Sequence, residues 1–307
     1  MAQIVLHQAI SMFLLILVGT GCFKLKLLSK ETVNQISALV LKIINPVVIF
    51  MAYQREFQPE LVKNLGWTFF LSVVAYVIAI AISYSCIRQK DDRETAIERF
   101  SCIYSNCGFM GIPLVKSMFD YEGVFYLTAF LTVFNALVWS HGVMQMSGEK
   151  SLKSLGKVLR SPAIIAIVLG MVFFFVQITI PEILTETLES IGNLNTPLAM
   201  LVAGATIIQT DLLHVFQKTR VFYICFIKLL LIPVLIIGIF MLFSFDKVIE
   251  MTVLAAMSAP SAAICTMQCL NYHRNATYAS ELFGVTTLFS VLTMPLMMII
   301  YELSVKM

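Results

Sequence analysis

The chain has 307 residues, of which 59% are hydrophobic and only 13% are charged, and its mean hydropathy is +0.88. A soluble domain of this size cannot bury so much apolar surface, so the composition excludes a soluble fold and indicates helices that cross a membrane. The net charge of +3 is small, and we expect no nucleic-acid partner.

Ten apolar segments follow one another along the chain, each near the roughly 20 residues that suffice to cross a bilayer. They occupy residues 5–23, 35–53, 64–87, 98–119, 123–146, 162–180, 187–210, 220–242, 249–270 and 275–301. The first segment lacks the basic stretch that opens a signal peptide, so we expect it to be a retained first span. The predicted fold is therefore all-α: a polytopic membrane protein with ten transmembrane helices.

The fourth segment contains residues that disfavour a continuous helix. Gly108 and Gly111 each cost about 1 kcal/mol relative to alanine in a helix interior, and Pro113 costs about 3 kcal/mol. We predict two half-helices that meet near the middle of the membrane with Asn106 at the break, an arrangement by which transporters hold a solute. The alternative is a packing helix kinked at Pro113, in which Asn106 hydrogen-bonds to a neighbouring helix.

Lysine and arginine are distributed unequally between the loops. If the ten segments alternate in direction, five of the 21 Lys and Arg residues lie on the side of the termini and fourteen on the other side, while Lys42 and Lys228 lie within segments. Because loops rich in Lys and Arg face the cytoplasm, we expect both termini to be outside.

The second half of the chain repeats the hydropathy of the first at a spacing of 151 residues, which places Pro46 on Pro197. Five segments per half require the second half to run in the opposite direction, so we predict an inverted repeat of the kind found in secondary transporters. The predicted division is a first five-helix repeat at 1–147, a cytoplasmic connecting loop at 148–161 and a second, inverted five-helix repeat at 162–307.

The same symmetry predicts a second break in the ninth segment, where Pro260 interrupts the helix between Ser258 and Ser261. Two broken helices that cross would direct the partly positive N-termini of their half-helices at one spot. Such a spot suits a carboxylate without requiring a buried Arg or Lys. We expect Ser258 and Ser261 to contact the ligand, or else to form ordinary hydrogen bonds between helices.

Three motifs, in this order along the chain, resemble those of a known family. Residues 105–114 resemble the Asn-x-Gly-x-x-Gly-x-Pro-Leu signature in the fourth span of the auxin efflux carrier family. Residues 193–204 are similar to that family's seventh-span signature, and residues 258–295 are similar to its ninth and tenth spans. The short loop at 148–161 resembles that of bacterial members.

This resemblance implies an elevator-type transporter of organic anions such as dicarboxylates, located in the bacterial inner (plasma) membrane. It implies that helices 4 and 9 cross, that helices 1, 2, 6 and 7 form a scaffold, and that helices 3–5 and 8–10 form a moving transport domain. It also implies a homodimer joined through the scaffold and surrounded by membrane lipid. Ser105 precedes Asn106 where plant carriers tend to have proline, which argues against auxin as the substrate.

The predicted site residues fall into three groups. The substrate site comprises Asn106, Ser105, Gly108, Ser258, Pro260 and Ser261. The candidates for coupling or charge compensation are Lys228, Glu281 and Gln268. As alternatives, Lys228 extends to the membrane surface and Glu281 is an interfacial acid. The lining of the path on the scaffold comprises Asn45, Pro46, Asn195 and Pro197, with packing between helices as the alternative role for Asn195.

The predicted function is secondary transport of a mono- or dicarboxylate held at the crossover, without catalysis, metal or cofactor. The segments contain neither the His-Glu-x-x-His nor the Gly-x-Ser-x-Gly motif of hydrolytic enzymes. The alternatives are a sodium-coupled carboxylate or bile-acid-like symporter and a passive anion channel, and the coupling ion stays open between Na⁺, H⁺ and none. We expect the seven cysteines to be small buried residues rather than disulfides or a zinc site.

Overall fold

The computed structural model describes residues 2–88, 92–148, 159–209, 215, 217–243 and 245–305. Within these ranges every regular element is a helix, and seven helices are long and apolar enough to cross a membrane. They are Leu6–Lys24, Lys30–Ala52, Pro59–Cys86, Cys107–Ser147, Glu182–Ile208, Thr219–Phe240 and Ala276–Ser304. The chain is therefore a polytopic helical membrane protein.

The first half of the chain contains long helices joined by short π-helical turns. Its helices are α1 (Ala2–Lys24), α2 (Lys30–Leu39), α3 (Asn45–Ala52), α4 (Pro59–Cys86), α5 (Asp92–Ile103), α6 (Ile112–Leu137) and α7 (Val143–Ser147). The π turn Val40–Ile44 joins α2 to α3, Cys107–Gly111 leads into α6, and Val138–Gly142 joins α6 to α7. Helix α2 begins where the Ser29 side chain accepts a hydrogen bond from the Thr32 backbone N–H at 3.1 Å.

The second half is built from similar pieces. Its helices are α8 (Pro162–Val176), α9 (Glu182–Asn193), α10 (Asn195–Ile208), α11 (Thr219–Phe226), α12 (Ile232–Phe240), α13 (Lys247–Ser258), α14 (Ile264–Asn271) and α15 (Ala276–Val305). The π turn Ile227–Leu231 joins α11 to α12. Helix α13 begins where Asp246 accepts a hydrogen bond from the Val248 backbone N–H at 2.8 Å, which satisfies one of the free donors at its N-terminus.

Three of the ten predicted segments do not form one long helix. The fourth and ninth segments are broken midway, as their glycines and prolines predicted. The sixth forms a helix only over Pro162–Val176, because Gln177 adopts a left-handed conformation with φ of 57° and ends it. The second part of the fourth segment is continuous with the fifth in Cys107–Ser147, which is kinked at Asp120 (φ 50°, ψ −145°).

Helices α1 and α10 pack with their backbones in direct contact. A Cβ on Gly19 would lie 2.7 Å from the Leu201 Cα, and a Cβ on Gly204 would lie 2.8 Å from the Ile16 carbonyl carbon. The Thr20 hydroxyl donates to the Gly204 carbonyl at 3.1 Å. Close contact at small residues with hydrogen bonds between helices is typical of packing in a membrane, where burial of apolar surface does not drive association.

An ion pair between the half-buried Arg220 and the buried Glu98 joins α5, α11 and α15. Arg220 Nε donates to Glu98 Oε1 at 2.9 Å and Arg220 Nη2 to Glu98 Oε2 at 2.6 Å, while the Tyr278 hydroxyl donates to Glu98 Oε1 at 2.8 Å. The Glu98 side chain is completely buried. Because a bidentate pair with a further donor offsets the cost of desolvating the carboxylate, the cluster fixes α5, and with it the break at the far end of α5.

Candidate functional site

Two helix breaks meet in the interior of the protein. Helix α5 ends at Ile103 and α13 ends at Ser258, and the chain after each of them leaves the helical conformation. The two extended stretches run antiparallel, with a β-bridge between Ser105 and Ser261. We call this meeting point the crossover; it comprises residues 104–106 and 259–263.

Each break satisfies the backbone hydrogen bonds of the other. The Asn106 N–H donates to the Pro260 carbonyl at 2.7 Å, and the Ala262 N–H donates to the Tyr104 carbonyl at 2.9 Å. Backbone groups at membrane depth have no water to bond to, so a broken helix is stable only if protein supplies the partners. Because the partners here belong to the other break, neither break is stable without the other.

Asn106 lies in the break as predicted, whereas Gly108 and Gly111 do not. The two glycines belong to the π turn that opens the second half-helix, in which the Ile112 N–H donates to the Cys107 carbonyl. The next N–H in this pattern would belong to Pro113, which has none, so the Gly108 carbonyl loses its helical partner.

Two asparagines compensate for this loss. Asn45 Nδ2 donates to the Gly108 carbonyl at 3.2 Å, and Asn45 Oδ1 accepts a hydrogen bond from Asn195 Nδ2. Both side chains are buried. Asn45 is thus in direct contact with the fourth-segment half-helix, and Asn195 supports it. Pro46 and Pro197 lie in the first turns of α3 and α10, and Pro46 is the second residue after the π turn Val40–Ile44.

At the crossover, the Asn106 side chain has hydrogen-bonding groups that are not in use among the described residues. Its carboxamide makes no hydrogen bond within the part of the chain that the structure describes, although only 6% of the residue is exposed. Asn106 occupies the N-terminal flank of the π turn Cys107–Gly111, where backbone N–H groups lack helical acceptors and the helix dipole is positive. An amide with a donor and an acceptor at this position suits a carboxylate.

The two predicted serines of the ninth segment differ in their bonding. The Ser261 hydroxyl donates to the Ser101 carbonyl at 2.9 Å, and its N–H donates to Thr286 Oγ1 at 3.2 Å, so Ser261 holds the break in place. Ser258 Oγ is completely buried and has no hydrogen-bond partner among the described residues. Ala263, at the N-terminus of α14, is exposed.

Lys228 lies against the crossover and does not extend to the membrane surface. The residue is 0% exposed, and its Nζ donates to Ser105 Oγ at 2.5 Å and to the Met257 carbonyl at 3.4 Å. The alternative in which Lys228 reaches the surface is therefore wrong, because its side chain turns inward from the π turn Ile227–Leu231.

The other two residues considered for coupling lie in different surroundings. Glu281 accepts hydrogen bonds from Lys218 Nζ at 2.8 and 2.7 Å and forms an ion pair at the start of α15. Gln268 is buried in α14, and its Nε2 has no partner among the residues described.

The contributions of Ser101, Met257 and Thr286 to the site were not predicted. Their carbonyl and hydroxyl oxygens become partners only through packing, and nothing in the local sequence distinguishes them. The π turns do have a signal: Val40–Ile44 and Ile227–Leu231, like the turn before α6, are each followed by a proline at the second position. A proline inside an apolar segment removes a helical donor and favours such local rearrangement.

A separate polar cavity of about 390 Å³ opens at the end of the molecule near Asp120. It is lined by Met51, Gln54, Arg55, Phe119, Asp120, Tyr121, Glu122, Thr185 and Glu189. Beside it, Lys116 Nζ bonds to the Tyr121 hydroxyl and to Asn193 Oδ1, both at 3.2 Å. In the described part of the chain no group of three or more His, Cys, Asp or Glu side chains is arranged to hold a metal ion.

A polytopic helical protein with two broken helices that meet in its interior has the architecture of a membrane transporter. A family model described as "Membrane transport protein" matches residues 4–154 and 149–298. Since the matches span nearly the whole chain, the protein belongs to this family, the auxin efflux carrier family, as the motifs predicted. Among curated proteins no significant match was found.

Proposed function

We propose that the protein is a secondary transporter that moves a small organic anion, a mono- or dicarboxylate, across a bacterial plasma membrane and holds it at the crossover. The observation that carries this proposal is the free carboxamide of Asn106 at the N-terminus of a half-helix. Beside it, Ala263 exposes the N-terminus of α14. Two positive helix ends and an amide form an anion site without an arginine.

The proposed architecture is ten spans in two inverted repeats, 1–147 and 162–307, connected by 148–161, of which residues 149–158 lie outside the described part of the chain. The two breaks support it, because each lies in the fourth helix of its five-helix half. The family matches, which divide near the middle of the chain, are consistent with the same division. With the basic loops in the cytoplasm, both termini and the cavity near Asp120 lie outside.

The proposed motion is an elevator movement of segments 3–5 (α4–α7) and 8–10 (α11–α15). They move against a scaffold of segments 1 and 2 (α1–α3) and 6 and 7 (α8–α10). In the part of the chain that the structure describes, polar contacts between the two groups are made by neutral partners or by a single charge, such as Asn45 to the Gly108 carbonyl and Lys116 to Asn193. Such contacts exchange at low cost during a sliding motion. We also propose that the scaffold forms a homodimer within the lipid bilayer.

The test is counterflow of radiolabelled mono- and dicarboxylates in proteoliposomes with wild type, Asn106→Ala and Asn135→Ala. Asn135 is the matched control, because it is also buried but its amide is already bonded: Nδ2 donates to the Leu131 carbonyl at 2.8 Å and Oδ1 accepts from Ser161 Oγ at 3.4 Å. Loss of a hydrogen bond to a charged group costs about 1.5–3 kcal/mol, so we expect exchange by Asn106→Ala to fall by about tenfold or more.

Each result decides a different part of the proposal. Saturable counterflow identifies a carrier and excludes the passive anion channel, which cannot accumulate label against its own gradient. If no carboxylate exchanges in wild type, the anion assignment is wrong. If Asn106→Ala exchanges as fast as Asn135→Ala, the substrate does not bind at Asn106.

A further inference from the structure

The crossover has a negative side as well as a positive one. Helices α5 and α13 both end there, at Ile103 and Ser258, so their C-terminal carbonyl groups point into it. In transporters with broken helices, unwound carbonyls and C-terminal ends bind the coupling cation, while N-terminal ends face the anion. The negative side of this crossover is therefore where a coupling Na⁺ would be expected.

Lys228 already occupies that side. Its Nζ donates to Ser105 Oγ at 2.5 Å, just after the end of α5, and to the Met257 carbonyl at 3.4 Å, in the last turn of α13. The Ser105 hydroxyl donates its own proton to the Met257 carbonyl at 3.2 Å, so its oxygen is left to accept from the ammonium. The three groups form a closed set in which two oxygens contact the ammonium.

Among the described residues, Lys228 has no acidic partner that would explain its burial. Lys218–Glu281, Arg220–Glu98 and Lys247–Glu302 form ion pairs in the described part of the chain, and Lys228 belongs to none of these pairs. A buried cation destabilises a protein unless it is compensated, and methionine would fill the same space without that cost. Ionisable side chains at membrane depth are usually retained for function.

We infer that the Lys228 ammonium is a tethered replacement for the coupling cation: it fills the oxygen site at the ends of α5 and α13, so transport does not use Na⁺. This inference rests on the proposed function, since it concerns the same crossover. It also favours anionic substrates, because the fixed positive charge lies beside the half-helix N-termini that would hold the carboxylate.

The first measurement is wild-type counterflow of the best carboxylate in NaCl and in choline chloride. We expect equal initial rates, within about twofold, because the site for the cation is already filled. A strict requirement for Na⁺ would overturn the inference while leaving the anion transporter of the preceding section intact. Absence of counterflow in both salts would instead overturn the proposed function.

The second measurement compares Lys228→Ala with Lys228→Met in choline, Na⁺ and methylammonium chloride. Both variants should lose about tenfold or more in choline, because the ammonium and its hydrogen bonds are gone. Lys228→Ala leaves room for a free cation, so Na⁺ or methylammonium should restore part of its exchange, whereas the methionine side chain fills that room and should block rescue. Size-exclusion chromatography in detergent verifies that both variants fold.

Two results of this comparison would contradict the inference. One is full exchange by Lys228→Met in choline, since the positive charge would then be dispensable. The other is a folded Lys228→Ala that stays inactive with every cation, since the lysine would then be a structural bridge between Ser105 and Met257. If neither variant folds, the wild-type comparison in NaCl and choline still decides the dependence on Na⁺.

Discussion

At the scale of single residues, the site depends on how side chains replace backbone hydrogen bonds that prolines remove. Pro113 has no N–H to offer the Gly108 carbonyl, and Asn45 supplies the missing donor at 3.2 Å from another helix. Asn195 in turn donates to Asn45, which fixes the orientation of the Asn45 amide. Asn45 and Asn195, which the sequence predicted to line the path, thus have a structural task that is coupled to the half-helix bearing Asn106.

We expect Asn45→Ala to lower the stability of the protein, because it leaves the Gly108 carbonyl buried without a donor. The cost should be about 1–3 kcal/mol, measured as a lower thermal midpoint in detergent. Asn34→Ala, at an exposed position of α2, is the control and should have little effect.

A double-mutant cycle with Pro113→Ala tests the cause, since alanine restores an N–H near the Gly108 carbonyl. Asn45→Ala should then cost less in the Pro113→Ala background than in wild type. Equal costs in the two backgrounds would show that the Asn45 amide does not compensate for Pro113.

At the scale of helices, the sequence predicted the existence of the elements better than their details. The cost of glycine and proline in a helix placed a break at Asn106, and the internal symmetry together with Pro260 placed another in the ninth segment. The shift of 151 residues aligns Pro46 with Pro197, but the breaks begin after Ile103 and Ser258, which are 155 residues apart. Extra residues between helices change the spacing of the two breaks without changing the hydropathy pattern, so the sequence does not reveal the difference.

For a related reason, the sequence could not predict that the Lys228 side chain points inward. The segment around it is apolar on all sides, so no periodicity marks the face that points to the protein interior. The π turn Ile227–Leu231 adds a residue to one helical turn and changes the face on which Lys228 lies. Only the packing of α11 and α12 against the crossover determines the partners of its ammonium.

The contact between α1 and α10 gives a prediction at this scale. Gly204→Ala should destabilise the protein by about 1–3 kcal/mol, because its Cβ would overlap the backbone of α1 at Ile16. Gly21→Ala is the matched control, since a Cβ there meets nothing within 4 Å. We expect a lower thermal midpoint and less monodisperse protein for Gly204→Ala alone. Equal behaviour of the two variants would mean that α1 and α10 pack less closely than described.

For the whole molecule, the central question is whether two groups of helices slide past one another. The contact between Lys116 Nζ and Asn193 Oδ1, 3.2 Å apart, joins the half-helix that starts at the crossover to α9 of the proposed scaffold. It lies beside the polar cavity near Asp120, at the proposed outer end. An elevator movement must separate these two residues in every cycle, whereas contacts within the transport domain persist.

We therefore expect a short bifunctional thiol cross-link between Lys116→Cys and Asn193→Cys to abolish counterflow, and reduction of the link to restore it. The matched control is Lys247→Cys with Glu302→Cys, because Lys247 Nζ and Glu302 Oε1 are also 3.2 Å apart but both belong to the proposed transport domain. That link should leave exchange unchanged.

The background should carry serine at Cys22 and Cys86, the two cysteines that are not buried, so that the linker reacts only at the introduced pairs. If the first link stops counterflow and the second does not, transport requires motion of the two groups of helices relative to each other. General flexibility would not explain that difference. Undiminished exchange with the first pair fully cross-linked would exclude an elevator movement at this interface, because α9 and the half-helix would then stay together throughout the cycle.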